Sequence, residues 1–395
     1  MEEGSAFPVS PSRADFPGGI LNMAGVKRKF IIGFLFLLAV TNRLFSQEVN
    51  PDTLQISRDN LSLSPAYGWV IPHDPMVANT AGTRVTGLVL RLSRVRLDPM
   101  AGRYLPKSYK TGISLGYYHY SKAFLGDAWF GSYFLEPYLI NRPHFRLGVK
   151  AEIGLGYLTH PYDSLTNSQN YSYSLFFNPY LCLGLNADIL TRNNWGISLD
   201  LNFNHSSNGG IYQPNYGINF PTASLGILYD LQKTRVHRNP PIPVYGWRLD
   251  LNPFGSFETI PGDRRNFYGI HGLSLQAAKA IGFFNTITLG AEWVRDLAAQ
   301  KTMALQGQPG VNPHRLGILL GHEFLFRKFN FTQQIGYYLY KDIAYINRIY
   351  HRWGLYYKWN AHWMGGVNLS AHRQSADFLD MRVIYSIHFK GKPGP

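Results

Sequence analysis

Apolar and polar positions alternate with period two along most of the chain, the pattern of strands with two unlike faces. In 145–157, Phe145, Leu147, Val149, Ala151, Ile153, Leu155 and Tyr157 are apolar, and the residues between them are Gly, Arg, Lys and Glu. Segments 171–189, 195–205, 245–253, 287–293 and 353–359 repeat this alternation. A soluble sandwich also alternates. These segments, however, run to ten or more residues, the length of a tilted membrane-spanning strand rather than of a sandwich strand. Tyr, Trp and Phe gather near their ends, as the two girdles of a membrane barrel require. The pattern predicts an all-β fold, an antiparallel transmembrane β-barrel.

Eight strand-like segments fall within 66–232 and eight more within 245–389. Tyr67-Gly68-Trp69 recurs as Tyr245-Gly246-Trp247, which suggests an internal repeat. The residues between the halves, 233–244, contain Asn239-Pro240-Pro241 and read as a Pro-rich linker. Residues 47–65 read as an N-terminal segment and 390–395 as a tail. One sixteen-stranded barrel built from two eight-strand halves is favoured over two eight-stranded barrels. An even strand number places both ends on the periplasmic side, with 159–171, 207–218 and 297–313 as outer loops. Pro179, inside an otherwise regular strand, predicts a local bulge.

Composition supports this. Charged residues are 16% of the chain, against about 25% in soluble domains. Past residue 47 there is no apolar run long enough for a spanning helix. Lys27-Arg28-Lys29 followed by the apolar Phe30–Val40 reads as a secretory signal peptide within a leader over 1–46. A signal peptide belongs at the start of translation, so Met23 is the expected initiator. The single cysteine, Cys182, excludes an internal disulfide framework and falls on the lumen parity. A net charge of +14 on an exported protein points to anionic lipid rather than nucleic acid.

The candidate chemistry sits at one strand end. Trp195, Ile197, Leu199, Leu201 and Phe203 define a lipid-facing parity that His205 and Ser207 continue. In the next strand Ala223, Leu225, Ile227 and Tyr229 face outward, and Asn219 shares their parity. A hairpin therefore gathers His205, Ser207 and Asn219 on one outer-rim face, where unpaired polar groups are costly. A base, a nucleophile and an orienting residue make an acyl-transfer set, and Asn208 with the glycine amides offers oxyanion donors. Gly112-Ile113-Ser114-Leu115-Gly116 lies mid-strand, without the strand-turn-helix context of a nucleophile elbow. His322-Glu323 lacks the second histidine of a zinc-protease helix.

The stretch His205-Ser206-Ser207-Asn208-Gly209-Gly210, followed by Gln213-Pro214-Asn215-Tyr216-Gly217, resembles the signature of the outer-membrane lipid A 3-O-deacylases, the PagL or acyloxyacyl hydrolase family. The resemblance covers about 66–232 and implies a deacylase-like barrel half. It also implies removal of the ester-linked acyl chain at position 3 of lipid A by a Ser-His-Glu mechanism, with no metal or cofactor. It assigns the histidine to His205, the nucleophile to Ser207 and the oxyanion residues to Asn208 and Gly210. The family's acid falls on Asn219, a departure that removes the charge facing an imidazolium. In the second half His372 falls on lumen parity and Gln374 stands near the nucleophile position, so no second site is expected. The resemblance thus implies a serine-dependent esterase in the outer membrane of a Gram-negative bacterium, with lipid A or lipopolysaccharide as substrate. The alternatives are a non-catalytic channel or scaffold barrel of the same family, and a glycolipid-binding surface protein using 159–171 and 297–313.

Overall fold

The computed structural model describes residues 55–97, 108–191, 193–236, 246–281, 285–326, 328–372 and 375–389. The expected leader and Met23 start, most of the linker, the tail and Gln374 lie outside them. The sixteen expected strands are present, but they close as two barrels of eight, not as one of sixteen. The first comprises β1 (Gln55–Trp69), β2 (Arg84–Leu97), β3 (Ser108–Tyr120), β4 (Asp127–Asn141), β5 (Phe145–Leu158), β6 (Phe177–Leu190), β7 (Trp195–Ser206) and β8 (Ile218–Val236). The second comprises β9 (Trp247–Ile260), β10 (Asp263–Ala280), β11 (Asn285–Asp296), β12 (His314–Phe326), β13 (Phe329–Lys341), β14 (Ile349–Lys358), β15 (Trp363–His372) and β16 (Ser375–Phe389).

Closure of the first barrel turns on β1. This strand begins at Gln55, inside the stretch 47–65 expected as an N-terminal segment ahead of the first strand. Its outward positions include Asp59 and Pro65 beside Leu61 and Leu63, so its alternation is weak in the sequence. Its inward positions, Asn60, Ser62, Ser64 and Ala66, are buried. The added length lets β1 pair with β8 from Gln55↔Val236 to Gly68↔Thr222, which seals the ring. β16 pairs with β9 in the same way and seals the second. The two Tyr-Gly-Trp motifs are not equivalent: Trp69 ends β1, whereas Trp247 begins β9.

The expected parity holds. Along β7 the odd positions from Trp195 to Phe203 are exposed and the even positions from Gly196 to Asn204 are buried. No bulge marks Pro179: the β5–β6 register runs unbroken through Leu155↔Pro179. The β6–β7 ladder starts one residue later, at Tyr180↔Ser206, so the missing N–H of the proline falls where the ladder ends. Residues 171–176, expected within that strand, belong instead to the outer loop. The expected loop 297–313 contains a helix, α1 (Leu297–Leu305), capped by the Asp296 side chain on the Ala299 N–H.

Neither interior forms a porin-sized lumen. In the first barrel Asp200 accepts from Arg91 at 2.7 Å and Lys150 at 3.0 Å, and Lys110 bonds Asp188 at 2.9 Å. Toward the outer end an aromatic layer follows, in which Phe130 stacks on Tyr180 at 4.2 Å and Phe220 packs edge-on to Tyr118 at 5.3 Å. In the second barrel Arg248 bridges Asp250 and Glu323, while Arg352 joins Glu292 to Asp380, each at 2.7–3.0 Å. Each of these buried charges is held by an opposite charge at hydrogen-bond distance.

Candidate active site

β7 and β8 set the site. Their register pairs His205 with Asn219. Their neighbours point inward: the Tyr180 hydroxyl donates to Asn204 Oδ1 at 2.7 Å, and Asn204 Nδ2 donates to the Phe220 carbonyl at 2.8 Å. The aromatic layer thus fixes the inward residues, and the period-two geometry turns His205 and Asn219 to the opposite face.

On that face three side chains are in line. His205 Nε2 lies 3.0 Å from Ser207 Oγ, and His205 Nδ1 lies 2.6 Å from Asn219 Oδ1. An amide oxygen only accepts, so Nδ1 carries the proton and Nε2 is free to take one from the serine hydroxyl. The structure therefore brings together the nucleophile, base and orienting residue expected from the sequence. His205, Ser207 and Asn219 are all half-buried.

The loop 207–217 wraps around them. Asn208 is buried; its backbone N–H donates to Asn215 Oδ1 at 2.9 Å, and its Nδ2 donates to the Tyr212 carbonyl at 2.8 Å. The Gly210 N–H donates to Asn208 Oδ1 at 3.1 Å, so the two expected oxyanion residues are bonded to each other in the resting protein. Gly217, at φ +78°, lies against the imidazole: a Cβ there would stand 2.9 Å from His205 Cε1. Gly210 has φ +98° and meets the second barrel, where an added Cβ would be 2.8 Å from Glu258 Oε2.

Two groups went unseen in the sequence. His73 follows β1, where the Ile71 N–H donates to the Asn219 carbonyl at 2.8 Å and extends the strand pairing. Its Nδ1 lies 3.0 Å from Asn219 Nδ2, and its Nε2 lies 2.7 Å from the Tyr216 carbonyl. Thr259, on β9, donates its N–H to the Ile211 carbonyl at 3.0 Å and accepts the Gln213 N–H on Oγ1 at 3.0 Å. Neither has a local motif: each reaches the site through pairing between segments distant in sequence. In the second barrel His372 bonds Asp377 at 3.2 Å, and Asp377 also accepts from Arg315 at 2.9 Å. Among the described residues no group of three or more His, Cys, Asp or Glu side chains is arranged to hold a metal ion.

Residues 100–227 match the family model described as lipid A 3-O-deacylase (PagL), and residues 247–390 match that described as the acyloxyacyl hydrolase C-terminal domain. Among solved structures the chain is similar to the outer membrane enzyme PagL, at 17% identity over 43% of this chain and 99% of that one, with a TM-score of 0.28. It also matches a variant of the Rh. blastica porin, at 12% identity over 84% of this chain and 100% of that one, TM-score 0.20. The translocator domain of the autotransporter NalP from Neisseria meningitidis matches at 10% identity over 93% and 98%, TM-score 0.19. No curated protein matches the chain.

Proposed function

Because the chain belongs to the lipid A 3-O-deacylase (PagL) family of bacterial outer-membrane barrels, we propose that it is a serine esterase removing an ester-linked acyl chain from lipid A or a related glycolipid. The observation that carries this is the continuous contact from Ser207 Oγ through the His205 ring to Asn219 Oδ1. Ser207 Oγ attacks the acyl carbonyl while His205 Nε2 takes its proton. The tetrahedral intermediate collapses, the C–O bond to the sugar breaks, and the imidazolium returns the proton to the departing sugar oxygen. Water then attacks the acyl-serine, again with His205 as base, and releases the fatty acid and free Ser207.

Asn208 and Gly210 are assigned to the oxyanion. The Gly210 N–H would exchange its bond to Asn208 Oδ1 for one to the developing negative charge. The lipid-facing position suits a substrate whose acyl chains already lie in the outer leaflet, and the rim admits water for the second step. A lipid A substrate would place the protein in the outer membrane of a Gram-negative bacterium.

A fluorophosphonate, which traps a serine activated by a base, tests the assignment on purified protein in detergent. Peptide mapping should place the label on Ser207, and His205→Ala should abolish it. Labelling elsewhere, or equal labelling of the His205→Ala protein, contradicts the assignment.

A further inference from the structure

An asparagine beside a catalytic histidine has an ambiguity that a carboxylate lacks. With its amide oxygen toward Nδ1 it holds a proton there and leaves Nε2 basic. With its amide nitrogen toward Nδ1 it donates to that atom, the proton moves to Nε2, and the serine loses its base. A carboxylate presents oxygen whichever way it turns. Something must therefore choose the orientation of Asn219.

The surrounding backbone makes that choice through one side chain. His73 Nε2 faces the carbonyl oxygen of Tyr216 at 2.7 Å. A carbonyl only accepts, so Nε2 carries the hydrogen, and in the neutral ring Nδ1 is left with its lone pair. That Nδ1 stands 3.0 Å from Asn219 Nδ2. The amide nitrogen satisfies it, and Oδ1 is turned to His205. Both anchors are themselves fixed. The Tyr216 and Gly217 N–H groups donate to the Tyr171 and Ser172 carbonyls at 3.1 and 2.7 Å. On the other side the Val70 N–H donates to the Thr83 carbonyl at 2.9 Å and Ile71 to Asn219 at 2.8 Å, holding the strand that leads to His73.

We infer that His73 is a positioning residue: it orients the Asn219 amide and, through it, sets the proton on His205 Nδ1, doing for an asparagine what a carboxylate does unaided. This rests on the Ser207–His205 reading above and adds a residue that touches neither substrate nor nucleophile.

The test is a double-mutant cycle on the full chain in detergent, with heat-modifiable gel mobility confirming each barrel. In the Asn219 background His73→Phe should lower kcat about tenfold with KM unchanged, the effect of losing one orienting hydrogen bond. His73→Gln, which can both donate to Tyr216 and accept from Asn219, should recover most of the loss. In the Asn219→Asp background His73→Phe should change kcat less than twofold. An equal loss in both backgrounds, or no loss with Asn219, overturns the proposal. A readout independent of activity is the ¹⁵N spectrum of the imidazoles. It should show His205 protonated at Nδ1 in the parent protein and both tautomers in His73→Phe. The same tautomer in both also overturns it. If no variant has esterase activity but His73→Phe still shows both His205 tautomers, the serine-esterase reading alone fails.

Discussion

Asn219 Oδ1 stands 2.6 Å from His205 Nδ1, the position onto which the sequence resemblance places an acid. The amide fixes the tautomer but would supply no charge to oppose the imidazolium of the proposed mechanism. A charge-assisted hydrogen bond is roughly twice as strong as a neutral one. Asn219→Asp should therefore raise kcat about tenfold, for a gain of about 1.4 kcal/mol. Steady-state hydrolysis of a soluble acyl ester by the two proteins measures this; an equal or lower kcat for the aspartate contradicts it.

Gly217 makes room for the imidazole. Its φ of +78° already disfavours any residue with a Cβ, and the added carbon would lie 2.9 Å from His205 Cε1 and 3.3 Å from Ser207 Cβ. Gly217→Ala should cost about 1–2 kcal/mol of local strain and displace the ring from Ser207. A drop in kcat of tenfold or more, with both barrels intact on heat-modifiable gels, is the expected result.

The second barrel is hydrogen-bonded to the loop 207–217. Thr259 makes two hydrogen bonds to it, and Thr259→Val removes the one from the Gln213 N–H while keeping the side-chain shape. The loss should be about 1 kcal/mol of loop stability, seen as faster proteolysis within 207–217 and a severalfold fall in kcat. Unchanged proteolysis would detach the second barrel from the site.

Asp200 ties two cations in the first barrel, Arg91 and Lys150, each at hydrogen-bond distance. Asp200→Ala leaves both without that carboxylate in a buried interior and should destabilise the barrel by about 3–5 kcal/mol. The unfolding midpoint in urea, followed by gel mobility, should fall accordingly; an unshifted midpoint would mean that water reaches the pair.

Much of this was legible in the sequence, for reasons that also mark its limits. The parity that puts Trp195 to Phe203 on lipid carries straight through to His205 and Ser207, because period two is rigid along a strand. The register of one hairpin then delivers Asn219. What stayed hidden depends on pairing over long separations. Gln55 to Pro65 reads poorly as a strand because Asp59 and Pro65 interrupt its outward face, yet β8 makes it one, and with it the first barrel closes at eight. His73 reaches Asn219 only through that same closure, and Thr259 reaches the loop from a different barrel.

Mass spectrometry of lipid A from cells making the protein is the most direct test of Ser207 as the nucleophile of an ester cleavage on lipid A. Cells with the parent chain should show lipid A lighter by one ester-linked acyl chain, and cells with equal amounts of folded Ser207→Ala in the outer membrane should show the full-length species. Unaltered lipid A in both, or the same loss in both, would contradict a nucleophilic role for Ser207.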